Sequence, residues 1–357
     1  MVLKKILKIL LSLILILVLV VALALGVFTV AEYRPAATET VTADHTVDPV
    51  LETGKPLTIV TWNCGYGALG DNADFFMDGG SSVITADKAR VDENLSGIRD
   101  ALKGMDADLV ILQELDVNSG RSHGIDERPV LKEAVPGAFD AFAYNFNSLY
   151  VPYPVPPIGH VESGLYTLSR AEARSAERIS LPCPFSWPVR IVNLKRCLLV
   201  SRFPVRGTDR ELVLINLHLE AYDSGEGKIA QTRQLVSLMK EEYAKGNYVI
   251  AGGDFNQRFS NIDQSAYPVY DGMWQPGEIS AEEFGSDFSL LADPAAPTCR
   301  SLDRPLAGAD TNGFQFYLID GFIVSRNVRA DSVETLDQGF VFTDHNPVRM
   351  SFTLLHE

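Results

Sequence analysis

Tyr248-Val249-Ile250-Ala251-Gly252-Gly253-Asp254-Phe255-Asn256 reads as a buried strand that runs directly into an acidic turn. Four apolar residues, β-branched or aromatic in part, favour a short strand covered on both faces. The two glycines let the backbone turn tightly and approach a ligand closely. Alternation along an extended segment would put Asp254 and Asn256 on the same side. The same design recurs along the chain. Leu57-Thr58-Ile59-Val60-Thr61-Trp62 stops on Asn63, and Leu109-Val110-Ile111-Leu112 stops on Gln113-Glu114. Leu212-Val213-Leu214-Ile215 continues into Asn216-Leu217-His218, and two later stretches close on Ile319-Asp320 and Thr343-Asp344-His345. Together they supply carboxylates, carboxamides and two imidazoles, the groups that hold a hard cation and move protons at a phosphate ester.

Helical patterns lie between these strands. Val91, Leu95, Ile98 and Leu102 recur at helical spacing and end near Gly104. Ile229, Val236, Met239 and Tyr243 line a second expected helix, closed by Gly246. Strands are expected again over 316–324 and 348–354. Pattern alone supports mixed α and β. Two segments interrupt the rhythm: residues 144–160, rich in proline and aromatic residues, and the polar insertion 257–312. Loops of this length are usually functional, and both are expected to face substrate.

Five of these motifs in fixed order, those of Asn63, Glu114, His218, Asp254-Phe255-Asn256 and Asp344-His345, together with Ile319-Asp320, resemble the endonuclease/exonuclease/phosphatase superfamily from about Pro56 onward. That resemblance implies a four-layer α/β/β/α sandwich, two β-sheets flanked by helices. It implies Glu114 as principal metal ligand, assisted by Asn63 and Asp344, with Mg²⁺ as the cation, or Mn²⁺ or Ca²⁺. It assigns His218 to the phosphate and the leaving oxygen, and the Asp320–His345 pair to the attacking water. Asp254 would hold or deprotonate that water, and Asn256 would donate to a phosphate oxygen. The reaction implied is in-line attack of water on phosphorus. No Gly-x-Ser-x-Gly elbow is present for covalent triad chemistry, and the histidines are too scattered for a zinc cluster.

The chain divides into residues 1–30, 31–56 and 57–357. Residues 9–30 are apolar except for Ser12, Gly26 and Thr29, long enough to cross a bilayer, and follow Lys4, Lys5 and Lys8. The lysines orient the N-terminus inward, so the catalytic part lies outside the cell on a single-pass anchor. The rival reading is a signal peptide cut after Ala22-Leu23-Ala24, which gives a secreted enzyme. Residues 31–56 lack hydrophobic periodicity and read as an exposed tether, spanning up to roughly 80 Å if extended. An exported location permits disulfides, and Cys183 with Cys197 is the expected pair. Cys64, directly after Asn63, reads as a small buried residue.

Removing residues 1–30 removes three lysines and no acid, taking the formal charge from −15 to −18. That opposes capture of a polyanion. The stretch His218-Leu219-Glu220-Ala221-Tyr222-Asp223-Ser224, followed by Gly227-Lys228 and Arg233-Gln234-Leu235, resembles bacterial sphingomyelinases. The first expectation is therefore a lipid-headgroup phosphodiesterase, contacting substrate through Ser163, Lys195, Arg196, Tyr150 and Tyr153. A surface nuclease acting on DNA or RNA is the second, since the same aromatic residues could stack bases. An inositol-phosphate phosphatase is also compatible with the motifs. A catalytically dead adhesion module is disfavoured because no motif position is lost. No obligate protein partner is evident.

Overall fold

The computed structural model of the protein describes residues 2–356. Among them, a seven-stranded sheet runs in spatial order Thr38–Thr42, Ser175–Ser180, Cys197–Pro204, Glu211–His218, Tyr248–Asp254, Asp320–Ser325, Phe288–Leu291. A six-stranded sheet runs Val328–Thr335, Val348–Leu354, Pro56–Asn63, Leu109–Asp116, Gly159–Ser169, Phe139–Val151. The helices are α1 (Val2–Ala31), α2 (Lys88–Met105), α3 (Glu127–Lys132), α4 (Glu226–Ala244) and α5 (Ala281–Phe284).

Strand alternation sorts the apolar residues into three cores. Ile59, Leu109, Ile111, Leu214, Ile250, Phe322 and Met350 face inward and fill the space between the sheets. Val60, Trp62, Val110 and Leu112 face outward and meet Val91, Leu95, Ile98 and Leu102 of α2. On the other side Val213, Ile215, Val249 and Ala251 meet Leu235 and Met239 of α4. Helix, sheet, sheet, helix is the expected sandwich.

The expected face of α4 is only half right. Ile229 is exposed, whereas Lys228, Gln231, Thr232 and Glu242 are buried. These polar side chains serve neighbouring backbone: Gln231 Oε1 accepts from the Glu220 amide, and Lys228 Nζ donates to Ala221 O at 2.7 Å. The 144–160 segment is mostly a hairpin, because the flanking strands Phe139–Val151 and Gly159–Ser169 pair nearly to its tip. The insertion 257–312 contributes short strands and α5, and Phe284 is buried beside α4.

Residues 31–56 are not a free tether. Thr38–Thr42 pairs antiparallel with Ser175–Ser180 and extends the seven-stranded sheet, while Leu51 is buried between the sheets. Threonine-rich composition suits an edge strand as well as a linker, because threonine is β-branched. Helix α1 has no buried residue and is apolar and long enough to span a membrane.

One buried ion cluster ties α4 to the seven-stranded sheet. Arg202 reaches Glu242 with both terminal nitrogens, at 2.9 and 3.0 Å, and Asn247 donates to it at 2.8 Å. Burial opposes ionisation of Glu242, but Arg202, Lys245 and Asn247 outweigh it and hold the carboxyl down at about 2. Its stabilisation is therefore complete above its ordinary value near 4.5 and is lost as pH falls through about 2. Glu242→Gln should lower stability by about 2–3 kcal/mol at pH 7. In urea titrations the gap to wild type should narrow by about half at pH 3. An unchanged gap would show that the carboxylate charge contributes nothing.

Candidate active site

The two sheets bring their acidic strand ends to one place. Asp254 pairs in register with His218 on one side and Asp320 on the other. Asn63 stands opposite Gln113 in the facing sheet. A bulge between Leu112 and Leu115 interrupts the pairing of Leu109–Asp116 with Gly159–Ser169, and Glu114 within it has φ 52°. A bulge re-aims the side chain it carries, here toward the other sheet. Gly253 is required: its φ is 147°, and a Cβ there would lie 1.9 Å from Leu217 O. Asn256 does not continue the extended alternation. It turns to φ 51°, which returns its amide N–H to Asp254 Oδ1 at 2.8 Å.

Asp254 is the hub. Its Oδ2 accepts from Asn63 Nδ2 at 3.0 Å and lies 3.4 Å from His218 Nε2 and 3.8 Å from His345 Nε2. Glu114 Oε1 is 3.4 Å from Asn63 Nδ2 and 3.9 Å from His218 Nε2. Asp320 Oδ2 holds His345 Nδ1 at 2.9 Å, which leaves Nε2 pointing into the cluster. Asn256 spends one donor on Leu219 O at 2.9 Å, fixing the turn that carries it. Asp344 is placed by Thr343, whose hydroxyl donates to Asn63 O at 3.0 Å. Trp62 Nε1 donates to His345 O at 2.9 Å, so the backbone on both sides of Asp344 is tied to the strand bearing Asn63.

Burial dominates the electrostatics. It raises the carboxyls of Glu114 and Asp344, and with the neighbouring Asp320 charge it pushes Asp254 up to about 7. Burial would also keep His345 neutral, but the Asp320 carboxylate overrides it and holds the ring protonated well above its ordinary range. His218 is driven the other way by burial, with Arg196 and His345 adding positive charge nearby, and stays neutral. Two imidazoles with opposite protonation within one cluster can serve as proton donor and proton acceptor.

Three buried carboxylates, Asp254, Asp320 and Asp344, and the partly exposed Glu114 face one imidazolium, with Arg121 and Arg300 further back as the cationic support. His218 Nδ1 and Asp320 Oδ1 are buried without a hydrogen-bond partner. A concentration of oxygen donors with surplus negative charge fits a hard divalent cation. The carboxylates of Asp254 and Asp320 lie within ligating reach of one another and of His345, as do Asp344, His345 and Cys299. Cys299 was not foreseen from the sequence; it bridges to His345 across the sheet edge. Burial pushes its thiol up to about 12, and its soft sulfur is a poor match for a hard cation that takes oxygen donors.

Several expected contacts are elsewhere. Lys195 is 3.4 Å from Glu32 and donates to Arg190 O, so its charge is used at the end of α1. Arg196 is buried, donating to His218 O at 3.1 Å and pairing with Glu220 at 3.3 Å; it braces the histidine strand from behind. Ser163 is buried in strand pairing opposite Asp116 and Phe146. Tyr150 and Tyr153 are exposed at the hairpin tip, and the Tyr153 ring meets Phe76 edge-on at 5.8 Å. Cys183 and Cys197 are free, because Cys197 faces the core between the sheets while Cys183 sits on a loop against Leu194 O.

The 218–228 stretch mostly builds its own loop. Glu220 Oε1 accepts the amides of Ala221 and Tyr222, and Lys228 pairs with Asp223 at 3.3 Å. The exposed Tyr222 instead donates to Asp78 Oδ1 at 2.9 Å. Burial pushes Asp78 up to about 6, with Asp344 and Glu114 adding to the rise, so this pair stands at the rim of the cluster. Trp274 completes that rim, its indole donating to Ala221 O at 2.9 Å. No strand pattern marks Asp78 or Trp274, and their proximity arises from loops far apart in sequence.

The sequence model of the endonuclease/exonuclease/phosphatase family matches residues 60–345. Among solved structures, an endonuclease/exonuclease/phosphatase from Beutenbergia cavernae shares 16% identity at a TM-score of 0.56, covering 84% of this chain and 72% of that one. The corresponding protein from Bacteroides vulgatus shares 15% at 0.52, covering 84% and 99%. A humanized D. rerio TDP2 with 14 mutations shares 16% at 0.50, again covering 84% and 99%. No curated protein matches the sequence. At such identities the structural likeness is one of fold. The family match spans every strand-end motif from Asn63 to His345, and the chain belongs to the endonuclease/exonuclease/phosphatase family of phosphoester hydrolases.

Proposed function

We propose that this protein is a Mg²⁺-dependent phosphodiesterase acting on phospholipid or sphingolipid headgroups at the outer membrane surface. The observation that carries the chemistry is the single Asp254 oxygen flanked by Asn63, His218 and the Asp320-oriented His345. Glu114 and Asp344, with Asn63 assisting, would hold the cation. When bound, it supplies positive charge to the phosphate and its transition state; Mn²⁺ or Ca²⁺ would satisfy the same oxygen donors.

Asp254 orients water and accepts its proton, and the water oxygen forms the new bond to phosphorus. The ester P–O bond opposite breaks, and its alcohol leaves with the proton given up by the protonated His345 ring, while Asp254 keeps the proton taken from water, giving a phosphomonoester. His345, its Nδ1 fixed by Asp320, and His218 present ring nitrogens to the phosphate. Asn256, held in its turn by Leu219 O, would donate its remaining amide hydrogen to a phosphate oxygen as charge develops. Arg196 and Arg121 keep the two sheet ends in place without touching substrate.

Lipid is favoured by three features: the apolar α1, the formal charge of −18 beyond residue 30, and the exposed aromatic rim at Tyr153, Tyr150 and Tyr222. An acidic surface gains nothing from polyanion steering, whereas a tethered enzyme meets its own membrane at high effective concentration.

His345→Ala should reduce turnover of an activated phosphodiester by about 10²–10⁴-fold. Asp320→Asn should cost about 10–100-fold, since the ring stays but loses its orienting partner. Wild-type rates in both would place the active centre elsewhere. Chelator should abolish turnover, and Glu114→Ala should raise the Mg²⁺ needed for half-maximal rate with an unchanged circular dichroism spectrum. Full activity in excess chelator would refute the metal assignment. Headgroup phosphate release from vesicles, compared with plasmid nicking at physiological salt, tests the substrate. Rapid nicking with no lipid turnover would identify a surface nuclease and discard the lipid reading.

A further inference from the structure

We propose that the protein is clamped onto the outer end of its own membrane helix, so that the catalytic end of both sheets rests on the headgroup layer of the bilayer that α1 spans. The inference rests on reading α1 as a retained membrane segment, and it specifies how the proposed lipid substrate is reached.

The clamp is centred on Glu32, one residue beyond α1. Its carboxylate is buried, with Arg190 Nε at 2.9 Å, Arg34 Nε at 3.0 Å and Lys195 Nζ at 3.4 Å. Arg34 turns back to donate to Thr29 O at 2.8 Å, and Trp187 Nε1 donates to Thr29 Oγ1 at 3.1 Å. Tyr33 lies edge-on to Tyr144 at 6.3 Å, with the Arg178 guanidinium 5.8 Å from its ring centre. Helix and domain are thus joined by several bonds over six residues, which leaves no slack for a swinging tether.

Strand register says which end of the domain this is. Thr38, just after the clamp, pairs with Ile179, and Ser180 pairs with Cys197. Leu198 in turn pairs with Leu217, next to His218. Helix α1 therefore arrives at the same end of the seven-stranded sheet as the catalytic strand termini.

The surface around that arrival point has the composition of a membrane interface. Trp187 and Val189 are more than half exposed beside Thr29, at 53% and 55%. Next to them the hairpin base packs Phe146 and Val161 on Val192 and Leu194, and the tip projects Leu149, Tyr153 and Val155 at 53%, 69% and 94% exposure. Tryptophan and tyrosine favour the headgroup zone, where an apolar ring and a polar edge are both accommodated. The clamp carries three cations against one carboxylate, a local positive excess on an otherwise acidic domain that suits lipid phosphates. One occupant meets all of these conditions: the bilayer continuous with α1. Tyr153 also touches Phe76 at the cluster rim, so the lipid-facing tip borders the site itself.

The test uses the full chain reconstituted in phosphatidylcholine–phosphatidylglycerol vesicles. Lipids brominated near the headgroup should quench Trp187, measured as the fluorescence lost between wild type and Trp187→Phe. Glu32→Gln should lose that quenching and lower vesicle-lipid turnover at least about tenfold, while hydrolysis of a soluble activated diester is unchanged. Release of the protein by carbonate washing would remove the anchor reading and the clamp with it. Retention in the membrane with Trp187 unquenched would overturn the clamp alone. Because quenching needs no catalysis, it stays decisive even if the substrate is not a lipid.

Discussion

A buried pair of carboxamides sets the relation between the two sheets at the end where the chemistry lies. Gln113 Nε2 donates to Asn216 Oδ1 at 2.8 Å, and Asn216 Nδ2 donates to Leu112 O and Tyr166 O, each at 3.1 Å. Apolar packing between sheets is non-directional and tolerates sliding. Hydrogen bonds in a dry interior do not, because a donor left unpaired costs about 1–3 kcal/mol. Gln113 immediately precedes Glu114, and Asn216 stands two residues before His218. The spacing between carboxylate and imidazole is therefore inherited from the amide pair rather than set by the two groups themselves, which lie 3.9 Å apart without a strong bond.

The same end of the molecule holds three of the non-glycine residues in the left-handed region. Tyr66, Glu114 and Asn256 all have left-handed φ, at 42°, 52° and 51°. Non-glycine residues there cost about 1–3 kcal/mol each and persist only where surroundings over-determine them. Here the surroundings are specific. Arg121 lies 3.6 Å over the Tyr66 ring and is fixed by Asp116, while the Asn256 turn is closed through Asp254 and Leu219. Gathering four carboxylates in one cluster adds a further cost, which the raised protonation of Glu114, Asp254 and Asp344 reflects. A site that concentrates like charge in this way is arranged for a cation and a phosphate rather than for its own stability.

Mixed α and β was legible because strand and helix periods are short-range, whereas the four layers followed from the resemblance that the strand-end motifs carry. Strand alternation sorted Ile59 inward and Val60 outward, and helical spacing placed Val91, Leu95, Ile98 and Leu102 on one buried face. What failed depended on partners the sequence does not show. Ile229 fits the apolar period of α4, yet that turn packs its polar side to close the 218–228 loop. Lys195 reads in the sequence as half of a basic pair with Arg196, and only the fold brings Glu32 to it from more than 160 positions earlier. The threonines at 38, 40 and 42 read as linker until an unpaired sheet edge is available to them.

The division between legible and hidden also separates chemistry from specificity. Residues proposed to act on the phosphate sit at the ends of regular strands, where sequence pattern is strongest. Residues that border the substrate come from the irregular connections: Phe76 and Asp78, the hairpin tip at Tyr153, Tyr222 and the inserted Trp274. Even the stretch most suggestive of a substrate, 218–228, spends Glu220, Asp223 and Lys228 on its own loop and offers only Tyr222 outward. On the proposed reading, substrate choice falls to the four unrelated loops that meet above a common cluster. On the proposed clamp, Glu32 fixes α1 at that same end of the sheet, so the direction from which a lipid substrate would arrive is built into the fold along with the chemistry.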